Sequence, residues 1–169
     1  NGLMWVGTAG MGIDIHDEKS NRFPTFTGID YLPELSSFSI RDVLEDQRRD
    51  VWIVTNQVYR WKRNLQELEN ADNLLTPEDL QPSNEIEVWE ISEGPDGMLW
   101  AAATQGLIKY NPFTDQLTLF EYSQRQEDGL PQREVYGVIV DRDGKVWVIT
   151  ENYLSELVDP VVGTFKNYR

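Results

Sequence analysis

The sequence predicts an all-β fold of stacked, four-stranded antiparallel units, on three observations. Tryptophan recurs at Trp5, Trp52, Trp100 and Trp147, with gaps of 47, 48 and 47 residues. Each tryptophan sits in the same short frame: LMWVGT ending at Thr8, VWIVT at Thr55, LWAAAT at Thr104 and VWVIT at Thr150. Runs rich in β-branched and aromatic residues, separated by turn residues, give room for four strands in each period. Four strands in a repeat of ~47 residues indicate a β-propeller blade, a unit that buries its apolar faces only by stacking on neighbours. Helical solenoids would need a 3.6-residue period, and leucine-rich repeats a shorter unit.

The first strand of the unit, A, is read from three segments that align without a gap: IRDVLEDQRRDVW (40–52), VWEISEGPDGMLW (88–100) and VYGVIVDRDGKVW (135–147). Each opens on a β-branched residue, Ile40, Val88 or Val135, 12 residues before its tryptophan. A polar tetrad separates strand from tryptophan: Asp46-Gln47-Arg48-Arg49, Gly94-Pro95-Asp96-Gly97 and Asp141-Arg142-Asp143-Gly144. The last two end in Asp-Gly, which turns a hairpin because glycine takes the positive φ the turn requires. The tryptophan therefore lies early in strand B.

Strand C is marked by an apolar anchor ten residues past the tryptophan, Ile15, Tyr110 or Leu157, and by Trp61 at nine. Ala9-Gly10, Asn56-Gln57, Gln105-Gly106 and Glu151-Asn152 supply the turns between B and C. A second polar turn follows (16–21, 111–115, 159–163), then strand D as RFPTFT (22–27), QLTLFEY (116–122) and TFKNYR (164–169). Residues 64–80, where Leu65, Leu68 and Leu75 give the one helix-like signal, are read as an irregular strand and a long loop.

The resulting blades are 1–27 (strands B to D), 38–70, 86–122 and 134–169, about 3.75 blades in all. Asn1-Gly2 holds the hairpin-turn position that Asp96-Gly97 and Asp143-Gly144 hold later. That placement predicts a segment of a longer chain. Open edges would then be covered by the remaining blades of that chain or by a contact between copies, a homodimer among them.

Composition narrows the partners. The chain carries 29 acidic and 15 basic residues, a net charge of −14. That argues against nucleic acid and against contact with an anionic membrane, since both need a basic face. No apolar run approaches the ~18 residues of a membrane span, and no N-terminal signal pattern is present. The absence of cysteine excludes disulfides and thiolate metal sites without fixing the compartment. No cofactor is predicted.

One tryptophan per blade at an equivalent position reads as inter-blade core. Trp61 reads the same way, and Thr8, Thr55 and Thr150 as structural strand-end residues. His16, the only histidine, falls beside Asp17 and Glu18 and reads as a solvated turn residue with no catalytic or metal role. Asp141-Arg142-Asp143-Gly144 superficially resembles a calcium loop, but Lys145 stands where an oxygen ligand is required, so the hairpin turn prevails.

Function on a propeller lies in loops on one face. The B–C turns share that face, the top, with the D–A connections 28–39, 70–87 and 123–134. Arg41, Trp89 and Tyr136 each follow the first residue of strand A, occupy equivalent places and differ between blades. They are expected near the top of the central channel. Aromatic faces stack on sugars and arginine gives directional hydrogen bonds, so these three, with Asn56, Gln57, Gln105 and Asn152, form the candidate ligand set. The competing reading makes Arg41, Trp89 and Tyr136 ordinary inter-blade residues.

The frame Asp-x-x-Gly-x-(Leu/Val)-Trp-(Ile/Val)-Gly-Thr, then Gly-Leu, Tyr and Asn-Pro, resembles the two-component regulator propeller repeat. Asp96-Gly97-Met98-Leu99-Trp100 followed by Gly106-Leu107-Ile108-Lys109-Tyr110-Asn111-Pro112 carries it most clearly. Leu3-Met4-Trp5-Val6-Gly7-Thr8 and Asp143-Gly144-Lys145-Val146-Trp147 carry it again. Departures are Ala103 in place of threonine, and the second blade, with Arg48-Arg49-Asp50 and a B–C turn one residue short.

The resemblance implies a seven-bladed parent, in the extracytoplasmic sensor region of a membrane-bound bacterial histidine kinase, often a hybrid kinase, or of a diguanylate cyclase. It implies a non-catalytic, periplasmic segment whose ligand is an oligosaccharide or another small molecule. Two alternatives stay open. VWVITENYLSELVDP (146–160) is also similar to the repeats of streptogramin-type lyases, which place a metal and a histidine in the channel, whereas this chain has a single histidine. A protein-docking propeller would favour a basic partner for so acidic a surface.

Overall fold

The structure, a computed structural model, describes residues 3–17, 19–20, 39–77, 86–124 and 127–169. The Asn1-Gly2 turn, the strand expected at 22–27, residues 28–38 of the first D–A connection and 78–85 of the second lie outside the described residues. Strands arranged as antiparallel propeller blades account for nearly all the regular structure. The chain divides into two compact units, Asn1–Ala71 and Asp72–Arg169.

In the first unit, β1 (Leu3–Gly7) pairs with β2 (Ile13–Asp17), placing Trp5 opposite Ile15. A four-stranded meander follows: β3 (Asp42–Glu45), β4 (Val51–Val54), β5 (Val58–Lys62) and β6 (Glu67–Asn70). Ile13, Val51, Ile53, Tyr59 and Trp61 form the core, with Trp5, Ile40, Val43 and Leu68 packed against it. Trp61 pairs with Val51 as Tyr110 pairs with Leu99, so the shortened B–C turn leaves the strand C anchor in place. Of the helix-like leucines, Leu65 lies exposed in the turn before β6 and Leu68 lies within β6, while Leu75, which belongs to the second unit, is buried just after a 3₁₀ turn, Asp72–Leu74.

The A–B hairpin of this blade turns without glycine. Arg49 takes φ 71°, where the equivalent Gly97 and Gly144 take 76° and 82°. A side chain in that region costs about 1–2 kcal/mol, and the surroundings offset it. The Asp46 carboxylate accepts from the Asp50 backbone N–H at 2.9 Å and from Trp52 Nε1 at 2.9 Å. Arg60 donates through Nε and Nη2 to Asp50 Oδ2, at 3.0 and 2.6 Å, and lies over the Trp52 ring. Both charged groups are buried, and each answers the other's desolvation. Thus Asp50, the residue that follows the substituted Arg48-Arg49 pair, is the partner that makes Arg60 tolerable inside.

The second unit holds two blades. One is β7 (Val88–Glu93), β8 (Leu99–Ala103), β9 (Gly106–Asn111) and β10 (Gln116–Phe120). The other is β11 (Gly137–Val140), β12 (Val146–Ile149), β13 (Leu154–Asp159) and β14 (Thr164–Tyr168). One face of the first packs on one face of the second. Trp100, Ala102, Leu107 and Phe120 meet Val138, Val146, Val148, Leu157 and Phe165 in a single buried cluster. Phe120 stacks on Trp100 at 6.0 Å and meets Phe165 edge-on at 6.2 Å. β11 is an inner edge strand, and its N–H donors need acceptors. Glu90 Oε2 accepts from Val138 N and Ser92 Oγ from Val140 N, each at 3.0 Å. At Gly106, with φ 143°, a Cβ would collide with the Phe120 carbonyl oxygen, so the Gly-Leu start of β9 admits no side chain.

The four repeat tryptophans differ in burial among the described residues. Trp52 and Trp100 are 0% and 4% exposed, whereas Trp5 and Trp147 are half-buried. Trp147 lies on the face of its blade equivalent to the one that carries Trp100. There Ile139, Ile149 and Leu154 are 61%, 54% and 45% exposed. The corresponding Ala102 and Leu107 are covered by the next blade, and these residues have no such cover among the described residues.

Asp141 repeats the role of Asp46. Its Oδ1 accepts from Asp143 N and Lys145 N at 2.9 Å, and its Oδ2 from Trp147 Nε1 at 3.4 Å. In the remaining blade Gly94 takes this place, and Asp96 Oδ1 receives Met98 N instead.

Trp100→Ala is expected to cost about 3–5 kcal/mol in urea denaturation, and Trp147→Ala less than about 2 kcal/mol because less area leaves water. The Asp141 carboxyl is held below its ordinary range, first by the Lys145 N–H and then, against desolvation, by the Asp143 N–H, the Trp147 indole and the Lys145 charge. A depressed carboxylate contributes stability above the unfolded-state pKa and loses it as pH falls through the folded value. Wild-type stability should therefore fall toward that of Asp141→Asn on acidification from about pH 6 to about pH 3. A gap that stays constant across that range would overturn the assignment.

Candidate ligand-binding face

Alternating strand direction puts the B–C turns and the D–A connections at the same end of every blade. Threonine closes the B–C turns. Thr8 Oγ1 donates to Gly12 O at 2.7 Å. Thr55 Oγ1 receives Gln57 N at 3.0 Å. Thr150 N donates to Tyr153 O at 3.0 Å. A closed turn holds the residues at its tip in one place.

In the first unit, Asn56 and Gln57 form such a tip. Asn56 Oδ1 lies 3.2 Å from Thr55 Oγ1, and Gln57 Oε1 accepts from Tyr59 O–H at 2.8 Å. Exposed Arg41 donates its backbone N–H to Val54 O at 2.8 Å, fixing the start of β3.

In the second unit, four of the sequence-predicted residues converge on the D–A connection between β10 and β11. Trp89 and Tyr136, equivalent in the two blades, face each other at 6.5 Å and 55°. Tyr136 O–H donates to Glu134 Oε2 at 2.7 Å. That bond holds the phenol above its ordinary range, with smaller contributions from desolvation and from the charges of Glu134 and Glu151. Gln105 Oε1 accepts from Arg133 Nε at 2.8 Å and also from Nη2. Asn152 N donates to Gln132 Oε1 at 2.9 Å, and Thr150 Oγ1 donates to the same oxygen at 2.8 Å.

The connecting residues are Gln132, Arg133 and Glu134, which the sequence analysis did not single out. Their signal was available: 123–134 is a D–A loop on the predicted face. No repeat frame covers it, however, so nothing ranked one loop residue above another. Together they wall two adjoining hollows. The smaller, about 320 Å³, has Gln132, Arg133, Glu134, Tyr136 and Glu151 on its walls. The larger, about 570 Å³, shares Gln132 and Arg133 and adds Tyr122, Asn152, Tyr153 and Arg169. Tyrosine rings, amides, arginines and carboxylates together suit a ligand with apolar ring faces and many hydroxyls. Among the described residues no group of three His, Cys, Asp or Glu is placed to hold a metal ion. No helix among them is long and apolar enough to cross a membrane.

Residues 129–152, the stretch containing Gln132, Arg133, Tyr136 and Asn152, match the two component regulator propeller family. No curated protein matches the chain. Among solved structures, the extracellular domain of BT3049 from B. thetaiotaomicron, assigned as a hybrid two component system, is similar with a TM-score of 0.70 and 15% identity, over 98% of this chain and 22% of that one. That of BT4673 from the same organism, assigned likewise, gives 0.67 and 18%, over 91% and 19%. Streptogramin B lyase gives 0.67 and 15%, over 99% of this chain and 51% of that one. This chain thus spans about a fifth of the two extracellular domains, and identities this low establish the shared propeller fold alone.

Gln132 is expected to pin the β12–β13 turn. Gln132→Ala should speed amide hydrogen exchange at Asn152 while global stability falls by only about 1 kcal/mol, the net worth of a hydrogen bond. Unchanged exchange at Asn152 would remove Gln132 from that role.

Proposed function

We propose that this chain is a non-catalytic, ligand-sensing propeller segment of a membrane-bound bacterial two-component sensor. It lies outside the cytoplasm and answers to a carbohydrate or another periplasmic small molecule. The observation that carries this reading is that Tyr136 and Asn152 stand on the walls of the hollows around Gln132 and Arg133, with Trp89 packed beside Tyr136 and Gln105 bonded to Arg133. The family match over 129–152 and the likeness to extracellular domains of hybrid two component systems support the setting. The exposed face with Ile139, Ile149 and Leu154 is then where a further blade of the same protein packs. Sensing here means unequal affinity for two arrangements of the receptor, since a ligand shifts an equilibrium only by that difference.

A lyase-like reading has one observation in its favour, a TM-score of 0.67 to streptogramin B lyase that equals the one to the BT4673 domain. Against it, the sole histidine, His16, lies in strand β2, paired with Met4, and is in none of the turns that carry the hollows. Calorimetric titration of the protein against neutral and acidic oligosaccharides and small metabolites separates the readings. Saturable binding without turnover is expected. Trp89→Ala should weaken it at least about tenfold, as for loss of an aromatic anchor, with unchanged circular dichroism. Consumption of a panel member would assign an enzyme, and silence across the panel would assign a protein-docking surface.

A further inference from the structure

The two hollows differ in charge in a way that the chain as a whole does not foreshadow. Acidic residues outnumber basic ones by 29 to 15. Yet the larger hollow, walled by Tyr122, Gln132, Arg133, Asn152, Tyr153 and Arg169, contains two arginine side chains and no acidic side chain. The carboxylates, Glu134 and Glu151, stand only in the smaller hollow next to it.

The donors of the larger hollow are set by bonds already made. Gln105 Oε1 engages Nε and one N–H of Nη2 on Arg133, which locks the guanidinium along one edge. The opposite Nη1–Nη2 fork has no partner among the described residues. That fork is the edge that receives a carboxylate through two parallel bonds. Gln132 is constrained in the same manner. Its Oε1 receives Thr150 Oγ1 and Asn152 N, so the other end of the amide is the NH₂ group, with two donors to offer. A locked arginine fork and a locked amide donor spend little entropy on binding an anion. Tyr122 and Tyr153 flank them with ring faces.

We infer that the larger hollow is a subsite for the carboxylate of an acidic sugar, and that the smaller one takes a neutral, hydroxyl-bearing neighbour in the same oligosaccharide. Arg133 grips the carboxylate with its free fork, helped by Gln132 Nε2. Glu134 and Glu151 accept from hydroxyls of the neutral unit beside Tyr136. An acidic peptide fits less well, because its next acidic side chain would meet the charges of Glu134 and Glu151. The inference rests on the ligand-sensing reading above and names the class of ligand for that site.

The test is calorimetry on the 169-residue protein with a disaccharide of one uronate and one neutral hexose, beside its carboxyl-reduced counterpart, at one ionic strength. The acidic sugar should bind about 10- to 100-fold more tightly, the worth of a charge-assisted pair. Arg133→Gln should abolish the preference, and Arg142→Gln, an equal loss of charge in the β11–β12 turn, should leave it. Equal affinity for the two sugars would overturn the uronate subsite and leave the sensing reading standing, as would a preference that survives Arg133→Gln. Stronger Arg133-dependent binding of oligoglutamate would overturn the sugar assignment. Silence toward these sugars and the whole ligand panel would overturn both readings.

Discussion

A four-stranded sheet has two faces, and when both are apolar neither can be left to water. The contact between the β7–β10 and β11–β14 blades shows how this constraint is met. Trp100, Ala102 and Leu107 on one face fit Val138, Val146, Val148 and Leu157 on the other, with Phe120 and Phe165 closing the outer end. The opposite end is closed by polar bonds. Glu90 and Ser92 reach across to the backbone of β11, supplying acceptors to an edge that would otherwise invite foreign strands. Apolar area fixes which faces meet, and these directional bonds fix the register in which they meet.

That register has a consequence for the top face. With β7 and β11 aligned, Trp89 and Tyr136 are brought ring to ring, and the connection from β10 to β11 must cross above the β12–β13 turn. Gln132 bonds down into that turn, and Arg133 bonds sideways to Gln105 in the neighbouring blade's turn. The proposed site is therefore built on a loop that is itself cross-braced to the turns of two blades. Preorganisation of this kind keeps donors aimed without a ligand to hold them.

The second blade shows a repeat pattern giving way locally without loss of the fold. Its hairpin lacks Asp-Gly, yet Arg49 adopts the same left-handed backbone as Gly97 and Gly144. The Asp46 bond to the Trp52 indole is kept, as Asp141 keeps it for Trp147. The new element is the buried Arg60–Asp50 pair. Departures from the repeat are compensated within the same blade, so the blade geometry is kept while its chemistry changes.

The sequence by itself determined the blade. Period, strand order, the A–B hairpins and the position of each tryptophan in strand B follow from local pattern, because strand periodicity and turn chemistry act over a few residues. It also pointed to the face where binding groups belong, since strand direction follows from strand order. Only the tertiary structure decided which equivalent residues differ in fate. Trp100 and Trp147 occupy the same frame, and burial separates them because one face has a neighbour and the other is open. Likewise nothing local marks Gln132 or Arg133, which lie in a loop without periodicity. Their roles arise from partners 18 to 28 residues away, Thr150 and Gln105, and such long-range bonds are made only when two blades stack.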